Sequence, residues 1–168
     1  MRLNTGVIDQ AEAPELISLG VKRILVPHDF SPPSRKAFKY AYRFAKAFGS
    51  RITLLHVLEP ASSPNFMELP GASAFSEKEL ASAKKNLRVL LSQAEVGGLK
   101  ETQSALRRGI ASHEIVEAAK DLDVDLIVIA THGYTGWKHF CIGSTAERVV
   151  RAAPCPVLVV REKEHEFV

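Results

Sequence analysis

Short apolar runs alternate with longer amphipathic stretches along this chain, and that alternation carries the first reading. Residues 22–27 (KRILVP), 51–57 (RITLLHV), 125–130 (DLIVIA) and 156–160 (PVLVV) are almost wholly apolar over strand length, as strands buried on both faces are. Segment 101–107 is more polar and reads as a strand at a sheet edge. Helical periods lie between these runs. Ala37, Ala41, Phe44, Ala45 and Phe48 share one face, behind Ser31 and Pro32 as cap and first turn, with Gly49 as the stop. Leu80, Ala83, Leu87, Leu91 and Ala94 share another, opened by a capping box of Ser76 and Glu79 and closed by Gly97 and Gly98. A third helix is predicted over 112–122, with Ile115, Ala119 and Leu122 inward. A fourth opens at Ser144, with Glu147 three residues on as a second capping box, and stops before Pro154.

The order is therefore β-α-β-α-β-α-β-α-β. Buried strands alternating with amphipathic helices predict an α/β fold: a five-stranded parallel sheet, doubly wound and flavodoxin- or Rossmann-like, with strand order 3-2-1-4-5 and four helices. Residues 1–20 show no strong period and read as an extension; residues 21–163 read as one domain. Stretch 59–75, rich in Pro, Ser and Gly, reads as a long loop.

Composition narrows the class without changing the fold. With 168 residues, 46% apolar and 24% charged, the chain suits one soluble domain. A net charge of +3, with Lys and Arg interleaved with acids along the sequence, argues against a nucleic-acid interface. Cys141 and Cys155 form no ligand spacing and suit a reducing compartment. Asp9, Glu12 and Glu15 interrupt the start, so neither a secretory signal nor a membrane span is expected, and the localisation read from this is cytoplasmic.

Ligands of doubly wound sheets sit beyond the C-terminal strand ends, where the strand order reverses. The loops placed there are 28–31 and 131–143, both polar. Gly133, Gly136 and Gly143 punctuate the second, and Ser144 opens a helix directly after it. Strand, glycine loop and helix N-terminus together receive a phosphate, because free backbone N–H groups and the positive end of the helix dipole face the loop. Neither GxxxxGK[ST] nor GxGxxG is present, so backbone amides would carry the anion. Asp29 has two readings, a ligand-facing carboxylate or a cap and turn residue. His28, His56 and His132 fall near strand ends, where histidines are more often hydrogen-bonded than metal-bound. Cys141 reads as a small packed hydrophobe and Trp137 as a cover over the loop. No nucleophile–histidine spacing or carboxylate pair stands out.

The segments KRILVPHDFS, THGYTG and GSTAERVVRAAPCPVLVV, with this strand order, resemble the universal stress protein family over residues 21–161. The ATP-binding branch of that family carries glycine, two residues, glycine, nine residues, glycine and then serine or threonine. Here Gly133, Gly143 and Ser144 match that pattern, and Ala130 holds the first glycine position. The resemblance implies that Pro27 and Asp29 line the adenosine side, with His28 between them, and that Val57 offers backbone groups to the adenine edge. It implies that Ala130, Thr131, His132, Gly133, Tyr134, Thr135 and Gly136 wrap the phosphates, and that Ser144, Thr145 and Ala146 donate from the helix start. ATP is then the expected cofactor, with Mg2+ or Mn2+ held mainly by the phosphates. A homodimer through the last strand, 156–160, from Pro156 onward to Val160, is implied in the same way. The first function expected is an ATP-binding regulatory protein of the stress response with slow or no hydrolysis. The alternatives are a nucleotide-free partner-binding module, which Ala130 favours, and a weak ATP hydrolase using His132 or Asp29.

Overall fold

The computed structural model describes residues 20–60, 76–99, 101–131 and 142–161. Its elements are β1 (Arg23–Pro27), α1 (Pro32–Phe48), β2 (Arg51–Leu58), α2 (Glu77–Val96), β3 (Thr102–Arg108), α3 (Ala111–Asp121), β4 (Leu126–Ala130), α4 (Ser144–Ala152) and β5 (Val157–Val160). The five strands form one parallel sheet in the order β3-β2-β1-β4-β5, as the sequence predicts. β1 lies at the centre, with Ile24 opposite Ile52 on one side and Leu126 on the other.

Strand side chains alternate between two cores, which is what makes the central runs continuously apolar. Ile24, Val26, Ile52, Leu54 and Val128 point to the α1 and α2 layer and meet Phe38, Tyr40, Leu87 and Leu90. Leu25, Leu55, Ile127 and Ile129 point the other way, onto Ile115, Ala119 and Val149 of the α3 and α4 layer. β3 and β5 are the edges, and the polar character of β3 matches its place there.

Helix ends follow the sequence in two cases and depart from it in a third. Ser31 caps α1 through the Ser34 N–H, and Gly49 ends that helix in the left-handed conformation at φ 67°. Ser76 and Glu79 make the reciprocal capping box of α2, and the hydrogen bonds from Ser76 hold the Glu79 carboxyl below its ordinary pKa. The second capping box, predicted from Ser144 and Glu147, does not form. Gly143 donates its N–H to the Thr131 carbonyl at 2.7 Å, which fixes Gly143 as the extended cap and makes Ser144 the first helical residue. Glu147 pairs instead with Arg151, one turn further on, at 2.9 Å.

Other differences are local. Strand ends move by a residue, and α3 begins at Ala111 rather than Ser112. Phe48, predicted inward, is 48% exposed; as the last residue of α1 it has no following turn to cover it and stacks on Phe44, ring centroids 5.9 Å apart. Phe38, Tyr40 and Leu90 are buried in the core that Phe48 and Leu80 were expected to fill, while Leu91 packs against it as predicted.

Candidate functional site

The strand order reverses between β1 and β4, and beyond their C-terminal ends lies a cleft of about 300 Å³. That is the lower end of the range for small-molecule sites. Ten of the residues singled out in the sequence line it together: Pro27, His28 and Asp29 after β1, Val57 on β2, Ala130 and Thr131 at the end of β4, and Gly143, Ser144, Thr145 and Ala146 at the start of α4. His132, Gly133, Tyr134, Thr135 and Gly136 lie outside the described residues, as do Trp137 and Cys141.

The loop after β1 is a tight hydrogen-bonded unit. The His28 N–H donates to the Leu55 carbonyl at 2.8 Å, which ties the loop to β2. The His28 carbonyl faces His56 Nδ1 at 2.7 Å; a carbonyl only accepts, so that nitrogen carries its proton. Asp29 Oδ1 accepts from the Ser31 N–H at 3.0 Å and from the Ser31 hydroxyl, so the turn reading of Asp29 holds. The same side chain also borders the cleft.

Phe30 adopts φ 66°, a left-handed conformation that costs a non-glycine residue about 1–2 kcal/mol. Two contacts hold it there. Its N–H donates to His28 Nδ1 at 3.0 Å, and its ring sits 4.5 Å from the His56 ring and 5.3 Å from the His28 ring. Since Nδ1 accepts, neutral His28 carries its proton on Nε2, which is buried without a hydrogen-bond partner. Burial lowers the His28 pKa to about 4, against the pull of the Asp29 carboxylate, and Arg35 and His56 push the same way as burial.

Three helices, α1, α3 and α4, bring residues of their first turns to the cleft lining, so three positive dipole ends face it. α3 has Ile110 at its cap position and no side-chain cap of its own. Glu59 supplies the missing acceptor, taking the Ala111 N–H at 2.9 Å. Sequence reasoning missed Glu59, along with Ser34, Leu55, Ala111, Ile115 and Ile129 as lining residues, while His56, noted near a strand end, also lines the cleft. The capless start of α3 was the available signal, because an uncapped helix end leaves N–H groups that take an acceptor from elsewhere.

Ala130 is the last residue of β4, 8% exposed, and its φ is not positive. It belongs to the core beneath α1. Alanine therefore meets no backbone penalty where the motif has glycine. Among the described residues no three His, Cys, Asp or Glu side chains gather to hold a metal ion, and of the three histidines only His28 and His56 can be placed together. Burial raises the Cys155 thiol pKa, which makes it a poor nucleophile.

These features define an α/β protein with an anion-receptive cleft at its sheet crossover. The universal stress protein family model matches residues 20–161, and the chain belongs to that family. It is 36% identical over 148 residues to universal stress protein MJ0531 of Methanocaldococcus jannaschii, covering 86% of this chain and 85% of the relative. The solved structure of universal stress protein UspA from Lactobacillus plantarum is 30% identical, covers 84% of this chain and 98% of its own, and superposes with a TM-score of 0.74. The universal stress protein of Archaeoglobus fulgidus, solved in complex with dAMP, shares the fold at 22% identity and a TM-score of 0.63, covering 83% of this chain and 97% of its own. Among the described residues no helix is long and apolar enough to cross a membrane.

Proposed function

We propose that this protein binds adenine nucleotides, ATP in particular, and acts as a regulatory member of its family in the stress response. The observation that carries the reading is the convergence of all ten described candidate residues on one cleft with the α4 N-terminus at its wall. The dAMP complex of the Archaeoglobus relative shows that this fold accommodates an adenine nucleotide. In this reading Pro27, His28 and Asp29 border the nucleoside, Val57 offers backbone groups to the base, and Thr131, Gly143, Ser144 and Thr145 meet the phosphates together with residues 132–136. Mg2+ or Mn2+ rides on the phosphates, since the cleft offers Asp29 and Glu59 as carboxylates and both are engaged in hydrogen bonds.

Slow or absent hydrolysis is part of the same reading. Asp29 Oδ1 is held by Ser31 and His28 Nδ1 by Phe30, which engages both atoms in the turn, and His132 lies outside the described residues. The test is the nucleotide content of protein denatured after purification, followed by titration of the stripped protein with ATP. Co-purified or saturably rebound ATP is the expected result; no nucleotide and no saturable binding would leave the partner-binding reading in its place.

The homodimer through 156–160 is part of the proposal. β5 is a sheet edge, and its Val157, Leu158 and Val159 are only half-buried. An apolar edge with open backbone groups is a surface that pairs with its like across a two-fold axis. Sedimentation at micromolar concentration should give a dimer, and a Val159→Lys variant a monomer; a monomeric wild type would refute the assignment.

A further inference from the structure

Of the three helix starts at the cleft, two are already served by side chains of this chain. At α1, Ser31 takes the Ser34 N–H, and Asp29 takes the N–H and the hydroxyl of Ser31. At α3, Glu59 Oε1 takes the Ala111 N–H at 2.9 Å. The start of α4 has no side-chain cap, so its N–H groups are the ones left for an anion.

The charges of the cleft agree with that choice. Its described lining holds no Lys or Arg, and its two carboxylates are Asp29 and Glu59. The strand order sets the groups in a row: Glu59 after β2, Asp29 after β1, and the α4 start beyond β4. With neighbouring strands about 4.8 Å apart, the two ends of the row are separated by roughly 10 Å. An anion is drawn to the α4 end and opposed at the other by Glu59. A phosphorylated ligand therefore lies along the row in one direction, with its phosphate at α4 and its uncharged end at Glu59.

Glu59 is well fixed for recognition at that end. Leu58 pairs in register with Arg108, and its carbonyl takes the Gly109 N–H at 3.0 Å, so the backbone before Glu59 is tied to β3. The bond to Ala111 fixes one carboxylate oxygen, and Oε2 takes no hydrogen bond from a described residue. An ionised carboxylate accepts and cannot donate. The ligand group that meets it is therefore a donor. On a nucleobase the exocyclic amino group is such a donor, whereas an oxo group sets two acceptors face to face.

We infer that Glu59 determines base specificity: held to α3 through Oε1, it accepts the exocyclic amino group of the base through Oε2. The inference rests on the nucleotide reading above and adds which group of the base is recognised, and by which side chain.

Titration of the stripped protein with ATP and with purine riboside triphosphate, which lacks only the amino group, tests it. Wild type should prefer ATP about tenfold, the effect of one hydrogen bond to a charged group. Glutamine at this position has one amide oxygen where glutamate has two carboxylate oxygens. If the Ala111 N–H takes that oxygen, the amide NH2 meets the amino group of ATP, donor against donor. In Glu59→Gln the ratio of the two affinities should therefore fall from about ten to about one. That ratio is the readout, because the lost charge acts on both triphosphates alike, and retained binding of the analogue shows that the variant is folded. Wild type binding the analogue as well as ATP, or an unchanged preference in Glu59→Gln, would overturn the inference and leave the nucleotide reading standing. A wild type that binds neither triphosphate would remove that reading and the inference with it.

Discussion

Replacing Ser144 with aspartate is expected to weaken ATP binding about a hundredfold while leaving the fold as stable as before, or slightly more so. Ser144 is the first residue of α4, exposed, on the wall of the cleft, and makes no capping bond whose loss would disturb the helix. An aspartate in a helix's first turn interacts favourably with the dipole, by about 0.5 kcal/mol. The same charge opposes a phosphate held by the free N–H groups of that turn. At about 5 Å and an effective dielectric near 20, two unit charges repel by about 3 kcal/mol, roughly a hundredfold in affinity. Ser144→Ala removes only a neutral hydrogen bond, about 1 kcal/mol or fivefold. Calorimetric titration with ATP and with adenosine separates the causes, because adenosine has no phosphate to repel. ATP affinity within threefold of wild type in Ser144→Asp would show that α4 is not the phosphate wall.

The architecture and half of the site were legible in the sequence, and the physical reason is locality. Continuous apolar runs such as ILV and LIVIA report burial on both faces, and Ser31 and Ser76 report helix starts through bonds made within three residues. The sheet order followed because right-handed crossovers leave few topologies. What escaped depends on contacts distant in the chain. Gly143 replaces Ser144 as cap because of a bond to Thr131, and Glu59 caps a helix that begins at Ala111, across the sheet end. Phe30 adopts a left-handed conformation that no local pattern predicts; it is imposed by His28 and His56 together.

His28 should make the protein acid-sensitive, with a sign and a window that follow from its surroundings. In the folded chain its pKa is lowered to about 4 from 6.5, first by burial, so the unfolded chain takes up the proton sooner as pH falls. The stabilisation is fully present above pH 6.5 and is lost progressively down to about pH 4, where both states are protonated; 2.5 units correspond to about 3 kcal/mol. The proton must go to Nδ1, because Nε2 already carries one, and Nδ1 is the acceptor that holds the Phe30 N–H. Protonation therefore sets two donors face to face and releases the strained turn that carries Asp29 into the cleft. An asparagine at this position keeps an acceptor for Phe30 without titrating. His28→Asn should be less stable than wild type at pH 7, by about 1–2 kcal/mol for the smaller side chain, and should lose about 3 kcal/mol less on acidification. Urea unfolding at pH 7, 5 and 4 measures both, and the two curves should meet or cross by pH 4. Parallel curves would mean that His28 titrates normally and that another contact fixes the loop. Loosening at that turn should also lower ATP affinity between pH 6 and 4.5 in the wild type more than in His28→Asn, which links the buried histidine to the cleft it supports.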